Sequence, residues 1–206
     1  MTDLQLSYFD VDGGRGEPIR LALHIGNIAF DDYRFALNKF AEEAKKTPLG
    51  QVPVLRIDGT IITQSNAILR YIGKQTDLYP NDIYQALICD EVMDAAEDCT
   101  SKIVATFALT GDTLKTARKT LVDTELTKYL KFIESKLIVQ GNEYFSDQRL
   151  TIADLKIVPL IGWINSGSLD HIPTDLVEKV APKLNLHAQR IAKEKGVASY
   201  YVGRQK

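Results

Sequence analysis

A chain of 206 residues that is 45% hydrophobic and 25% charged has the composition of an ordinary globular protein, which excludes a collagen-like or mainly disordered chain. Its 25 Lys and Arg against 27 Asp and Glu give a net charge of −2, without the basic excess of a nucleic-acid-binding face. No apolar run reaches the about 20 residues of a membrane helix, so we expect neither nucleic acid nor membrane as a partner.

Strand-like and helix-like segments alternate in the first part of the chain. Leu4, Leu6 and Tyr8 alternate with polar neighbours, which predicts a strand, and Asp58-Gly59 is a strong hairpin signal. In chain order we predict a strand at Leu4–Tyr8, a helix at Glu17–Gly26, a strand at Ile28–Phe35, a weak helix at Leu37–Lys46, strands at Val52–Ile57 and Thr60–Thr63, and a helix from Ser65 through Ile72. This order predicts an α/β unit with a mixed sheet.

From about Asn81 onward the strand signals fade and apolar residues recur at helical spacing. This pattern predicts helices at Ile83–Leu109, Leu114–Leu137, Thr151–Ser166 and Thr174–Lys195. The third begins at a capping box, in which Thr151 caps the helix and Asp154 reaches back. We therefore predict an α/β domain at 1–77 and an all-helical domain at 82–206, with Tyr79-Pro80-Asn81 between them.

The N-terminus and the cysteines indicate the cellular compartment in which the protein resides. The first residues lack the basic and apolar blocks of a signal peptide, and Cys89 and Cys99 form no Cys-x-x-Cys motif. Two isolated thiols are typical of a reducing compartment, so we expect a cytoplasmic protein. We expect no metal, because the three histidines are scattered and no second element adds ligands to the acidic stripe between Asp90 and Asp98.

Four features of the α/β domain fit a binding site. Tyr8 ends the first strand, where open α/β sheets place ligand crevices, and Arg15 opens the next helix. A cis peptide at Val52-Pro53 would present the backbone of Val52 to an extended peptide ligand. The helix start at Gln64-Ser65 suits a carboxylate. Taken singly, these residues also fit a packed sheet tyrosine, a surface arginine and a plain helix cap.

Taken together, these segments resemble the glutathione-binding domain of the cytosolic glutathione transferases. The segments that carry the resemblance are Tyr8-Phe9, Arg15-Gly16-Glu17, Gly50-Gln51-Val52-Pro53-Val54, Gln64-Ser65-Asn66-Ala67-Ile68 and, in the second half, Leu150-Thr151-Ile152-Ala153-Asp154. The resemblance implies a thioredoxin-like N-terminal domain followed by an all-helical C-terminal domain. The Tyr8-Phe9 pair is most like the tyrosine-type sigma and pi classes.

The resemblance also implies a role for each matching residue. Tyr8 would donate a hydrogen bond to the glutathione sulfur and hold it as a thiolate, with support from Arg15. The residues that would bind the rest of glutathione are Phe40, Lys45 or Lys46, Gly50, Gln51, Val52, cis-Pro53, Gln64 and Ser65, with Asp98 reaching the γ-glutamyl amine of the partner in a homodimer. Glutathione would be the co-substrate, with no further cofactor and no metal.

Three departures from the family pattern stand out. The loop from Asp10 to Gly14 is one residue longer than usual, which affects the pose of Arg15. The loop also brings two carboxylates, Asp10 and Asp12, near a site meant for a thiolate. The family's tryptophan is replaced, since the only Trp is Trp163 and Phe40 lies nearest the expected position.

The function implied by the resemblance is conjugation of glutathione thiolate to small hydrophobic electrophiles, as in detoxification. Two alternatives remain: a glutathione-dependent isomerase of the prostaglandin D synthase kind, and a non-catalytic, crystallin-like protein on the same fold. A thioredoxin-like disulfide reductase is disfavoured, because the first domain contains no cysteine.

Overall fold

The computed structural model describes residues 3–204, which form two compact units. The first contains the chain up to Tyr79 together with the segment from Lys195 onward, and the second is Pro80–Glu194. We predicted a helical domain at 82–206, whereas the contacts of the segment from Lys195 onward lie in the first unit. Among the described residues, no helix is long and apolar enough to cross a membrane.

The first unit is built on a four-stranded mixed sheet, as predicted. Its elements are β1 (Leu4–Phe9), α1 (Glu17–Ile25), β2 (Asp31–Phe35), a 3-10 turn (Leu37–Lys39), α2 (Phe40–Glu43), a second 3-10 turn (Ala44–Lys46), β3 (Val54–Ile57), β4 (Thr60–Ile62) and α3 (Ser65–Gln75). The strand order is β2-β1-β3-β4. The pair β1–β2 is parallel, and the pairs β1–β3 and β3–β4 are antiparallel.

Alternation along β1 divides the two faces of this sheet. Leu4, Leu6 and Tyr8 are buried, and the residues between them are half-buried.

The predicted second strand began at Ile28, but β2 begins at Asp31. The reason is local: Asn27 has φ 51° and the Ile28 N–H donates to the Leu23 carbonyl at 3.0 Å, so these residues close α1.

The last helix, α10 (Lys195–Arg204), was not predicted as a separate element and packs on α1. Gly196 lies against Ile25, so close that a Cβ there would come within 2.9 Å of the isoleucine side chain. The His24 Nε2 and Ser199 Oγ atoms are 3.0 Å apart, and the ring of Tyr200 meets the ring of His24 edge-on. This packing explains why the helix belongs to the first unit.

The second unit is all-helical, as predicted. Its elements are α4 (Ile83–Val104), α5 (Gly111–Leu121), a π-helical turn (Val122–Leu126), α6 (Thr127–Val139), α7 (Ile152–Asn165), α8 (Leu176–Val180) and α9 (Pro182–Ile191). The predicted helix Leu114–Leu137 is thus longer at both ends and contains a π turn. The predicted helix Thr174–Lys195 is two helices, because Ala181 leaves the helical conformation (φ −148°, ψ 64°) before Pro182 starts α9.

The capping box at the start of α7 is present. Asp154 Oδ2 accepts the Thr151 N–H at 2.8 Å and the Thr151 hydroxyl at 2.9 Å, and its Oδ1 accepts the Phe145 N–H at 3.2 Å. The helix behind it is buried on almost every side and packs on α4 and α9. Asp154 thus satisfies backbone donors at the core of the second unit.

Both cysteines are buried in the second unit as free thiols. Burial raises the pKa of Cys89 and of Cys99 to about 12. Since the thiolate is the nucleophilic form of cysteine, neither residue is suited to nucleophilic chemistry near neutral pH.

Candidate active site

Tyr8 lies at the end of β1 with only 6% of its surface exposed. Two glycines of the following loop make room for it. A Cβ built on Gly14 would lie 2.5 Å from the Tyr8 hydroxyl oxygen, and one built on Gly16 would lie 2.5 Å from a ring carbon. Gly14 also has φ +66°, a conformation that other residues seldom adopt. Gly14 and Gly16 therefore leave the space that the Tyr8 side chain occupies.

Arg15 meets Tyr8 through its backbone. The Arg15 N–H donates to the Tyr8 hydroxyl oxygen at 3.0 Å. A phenolic oxygen that accepts one hydrogen bond can still donate its own proton to another group. The longer loop therefore still brings Arg15 to Tyr8, with the backbone amide as the contacting group.

Arg20 also belongs to this region, although the sequence did not predict it. It is fully buried, and its Nε is 3.0 and 3.1 Å from the two carboxylate oxygens of Asp32. Its Nη atoms donate to the Val11 carbonyl at 3.4 Å and the Phe9 carbonyl at 3.3 Å, while Cζ lies 5.6 Å from the centroid of the Tyr8 ring. The available signal was a lone arginine between the apolar residues of a helix, a pattern that indicates a paired buried charge.

The two unexpected loop carboxylates are balanced by an arginine. Arg34 Nη1 is 3.5 Å from Asp10 Oδ1 and 4.0 Å from Asp12 Oδ1. The side chains of Asp10 and Asp12 are 66% and 77% exposed, so water also screens them. Asp10 and Asp12 therefore repel an anion beside Tyr8 less strongly than the sequence alone suggested.

The Val52-Pro53 peptide is cis, as predicted, and β3 begins directly after it. Gly50 before it has φ +64°, and the Gln51 N–H donates to the Thr47 hydroxyl at 3.0 Å. This contact fixes the start of the segment that leads into the sheet.

Gln64 and Ser65 occupy the junction of β4 and α3. Gln64 has φ 70° and ψ 106°, a conformation that costs a non-glycine residue about 1–3 kcal/mol and recurs at functional sites. Ser65 is the first residue of α3 and is 8% exposed. The first N–H groups of this 11-residue helix are the anion-binding feature that the sequence indicated.

The structure separates the two candidate lysines. Lys46 Nζ donates to Glu43 Oε1 at 2.8 Å, and the Tyr33 hydroxyl donates to the same oxygen at 3.1 Å. The hydrogen bond with Lys46 lowers the pKa of Glu43, and the same bond raises the pKa of Lys46. These residues line a cavity of about 230 Å³ over the sheet. Lys45, which is exposed, forms no ion pair within residues 3–204.

Phe40 and Asp98 lie in different units. The Phe40 ring is 37% exposed and 5.3 Å from the ring of Phe9, which is itself 5.1 Å from the ring of Tyr8. Asp98 lies exposed on α4, where its Oδ2 accepts the Tyr129 hydroxyl at 3.2 Å. Among the described residues, no group of three or more His, Cys, Asp or Glu could hold a metal ion.

Comparison with known proteins identifies the family. Residues 4–74 match the model for the glutathione S-transferase N-terminal domain, and residues 97–204 match that for its C-terminal domain. A curated relative, glutathione S-transferase 1 of Ascaris suum, is 32% identical over 169 residues, which cover 79% of this chain and 81% of the relative. The chain belongs to the glutathione S-transferase family. It is an enzyme that conjugates glutathione, which is its co-substrate.

Solved structures agree with this glutathione S-transferase fold. Prostaglandin synthase D of Nilaparvata lugens superimposes with a TM-score of 0.84 at 26% identity, with 98% of each chain covered. The sigma class enzyme of Fasciola hepatica gives a TM-score of 0.83 at 23% identity, with 100% of this chain and 98% of that chain covered. The predicted thioredoxin-like domain followed by an all-helical domain is thereby confirmed. The non-catalytic alternative loses its support, because the relatives are named as enzymes.

Proposed function

We propose that this enzyme adds glutathione thiolate to small hydrophobic electrophiles, with Tyr8 as the residue that stabilises the thiolate. The observation that carries the proposal is the setting of the Tyr8 hydroxyl, which is held by the Arg15 N–H in a space that Gly14 leaves open. A hydroxyl that donates to sulfur favours the charged form of the thiol. The buried guanidinium of Arg20 lies against the same ring, where Asp32 and Glu17 offset its charge.

The remaining glutathione contacts follow from the groups around this point. Ser65 and the first N–H groups of α3 bind the γ-glutamyl carboxylate, with Gln64 beside them. The backbone of Gln51 and Val52 pairs with the peptide of glutathione. Gly50 and Pro53 shape this segment.

Lys45 is the lysine that we assign to the glycine carboxylate of glutathione. Lys45→Ala should raise the KM for glutathione about three- to tenfold, a typical loss for one charge-assisted hydrogen bond at an exposed site. Lys46→Ala is the matched control and should leave the KM within about twofold, because Lys46 is already paired with Glu43. Initial rates over a glutathione series measure both values. The reverse ranking of the two variants contradicts the assignment.

We propose further that the enzyme is a homodimer in which Asp98 binds the γ-glutamyl amine in the partner subunit. Asp98→Ala should raise the KM for glutathione about tenfold, since it removes the counter-ion of an ammonium group, while the dimer stays intact. Asp94→Ala, an exposed carboxylate on the same helix, is the control and should behave like the wild type. Sedimentation together with initial rates provides the measurement, and an active monomer at assay concentration excludes the cross-subunit contact.

A column of immobilised glutathione and a chloronitrobenzene assay test the proposal as a whole. The wild-type enzyme should be retained, be released by free glutathione and conjugate the electrophile. An endoperoxide assayed in parallel tests the isomerase alternative, which predicts turnover of the endoperoxide in preference to the chloronitrobenzene. Retention without either activity contradicts the proposed role of the thiolate.

A further inference from the structure

A cavity of about 230 Å³ lies over the sheet, on the face opposite to Tyr8. Ser7 precedes Tyr8 on β1 and is paired in register with Val54, and Arg56, also on β3, is paired with Ile61. Because paired residues of neighbouring strands point to the same face of a sheet, these four side chains lie side by side. We call the space above them, which residues 43, 46 and 47 also line, the sheet cavity.

Arg56 gives the sheet cavity a positive charge without a counter-ion. Its Nη1 donates to the Gly59 carbonyl at 3.2 Å, and it forms no ion pair within residues 3–204. The other two charges of the lining offset each other, because Lys46 Nζ is 2.8 Å from Glu43 Oε1. Asp31 lies two strands away from Arg56 in register, which is about 10 Å at the ordinary strand spacing. The lining therefore favours an anion.

The rest of the lining suits a small aromatic group. Phe35 and Val54 are buried in the sheet and Ile61 is half-buried, so the floor of the cavity is apolar. Ser7 lies diagonally across from Arg56, and its hydroxyl forms no hydrogen bond within the described residues. Sites for drug-sized molecules have about 300–1,000 Å³. A cavity of about 230 Å³ is smaller, and it suits a single ring with a short acidic arm.

We propose that the sheet cavity is a second binding site, which takes a single-ring aromatic carboxylate. The ring of the ligand packs on Val54 and Ile61. Its carboxylate accepts hydrogen bonds from the Arg56 guanidinium and the Ser7 hydroxyl, one of them charge-assisted on both sides.

This site is separate from the groups that we assign to glutathione. Of those groups, Val52 alone lines the cavity, and its proposed contact with glutathione is made by its backbone. Tyr8 and Ser65 do not line it. The carboxylate and glutathione should therefore bind to the same subunit at the same time, and the inference does not depend on the role of Tyr8.

A fluorine NMR titration of the whole enzyme with 4-fluorophenylacetate tests the proposal. We expect saturable binding, with a dissociation constant that changes less than about twofold when glutathione is added to saturation. The neutral 4-fluorophenylacetamide should bind at least about tenfold more weakly, because it lacks the charge that Arg56 binds. Acetate should compete at least about tenfold more weakly than phenylacetate, because it lacks the ring that contacts the apolar floor.

Variants then locate the bound probe. Arg56→Gln should weaken binding of 4-fluorophenylacetate about tenfold, and Ser7→Ala about threefold. Arg56→Gln should retain the wild-type kcat and KM for glutathione, because Arg56 is outside the proposed glutathione site. Lys74→Gln is the matched control: it removes an exposed cation of α3 that does not line the cavity, and it should bind the probe like the wild type.

Each arm of this experiment can contradict the proposal. Wild-type affinity in Arg56→Gln, displacement of the probe by glutathione, or equal binding of the acid and the amide overturns it. If Arg56→Gln folds poorly in a thermal melt, Ser7→Ala and the comparison of acid with amide on the wild-type enzyme still decide. If the wild-type enzyme is not retained by immobilised glutathione but binds the probe through Arg56, the proposed function is wrong and this inference stands.

Discussion

Tyr8→Phe should reduce kcat roughly 10²-fold and leave the KM for glutathione within a few-fold, as expected when an interaction with the reacting thiolate is lost. The variant keeps the ring that packs against Gly16 and removes only the hydroxyl. A free thiol has a pKa of about 8.5. Lowering it by about 2 units requires about 2.7 kcal/mol, which a hydrogen bond to the charged sulfur and a nearby cation can supply.

Tyr8→Phe should also shift the pH dependence of the reaction. Without the donor the thiolate is less stable, so the pH profile of kcat/KM should move to higher pH by a unit or more. Tyr33→Phe is the matched control, because its hydroxyl contacts Glu43 instead of the Tyr8 region, and it should leave the profile unchanged. Near-normal turnover of Tyr8→Phe at mildly acidic pH would show that another donor activates the thiol.

Gly14→Ala should have the second largest effect and reduce kcat by at least tenfold. Its Cβ would lie 2.5 Å from the Tyr8 hydroxyl oxygen, so the hydroxyl has to move from the Arg15 N–H. The positive φ of +66° adds a backbone penalty of about 1 kcal/mol. We expect a lower melting temperature together with the loss of turnover.

Gly111→Ala separates the contact with the Tyr8 hydroxyl from the backbone penalty of a positive φ. Gly111 also has a positive φ, +55°, but a Cβ there meets nothing within 4 Å. This control carries the backbone penalty alone, so it should lower the melting temperature less than Gly14→Ala and retain full turnover. If both variants lose turnover equally, or neither does, then contact with the Tyr8 hydroxyl is not the reason for the glycine at position 14.

Much of the fold could be predicted from local sequence patterns. The alternation of Leu4, Leu6 and Tyr8, the Asp58-Gly59 turn and the capping box at Thr151 each depend on neighbouring residues, and each is present in the structure. Helix ends were less predictable. The closure of α1 through Ile28 and the division at Ala181 depend on backbone conformations that apolar spacing does not encode.

Some residues of the candidate site could be predicted from local motifs, and others could not. Tyr8 at a strand end, cis-Pro53 and Ser65 at a helix start lie where the sequence predicted, because each belongs to a short motif. Arg20 was not predicted as a part of this region, because its contacts with Phe9, Val11 and Asp32 join segments that are not neighbours in the chain. The choice between Lys45 and Lys46 likewise required the Glu43 contact, since neighbouring residues with equal charge cannot be ranked from sequence.

The position of α10 has a consequence for biosynthesis. Pro80–Glu194 is topologically an insertion between two parts of one unit. The segment from Lys195 onward is synthesised after the inserted unit, so its contacts with Ile25 and His24 of α1 form only after that unit has left the ribosome. A nascent chain stalled before Lys195 should therefore contain the sheet and Tyr8 but expose the surface of α1 that α10 covers, which makes this surface a binding region for chaperones during translation.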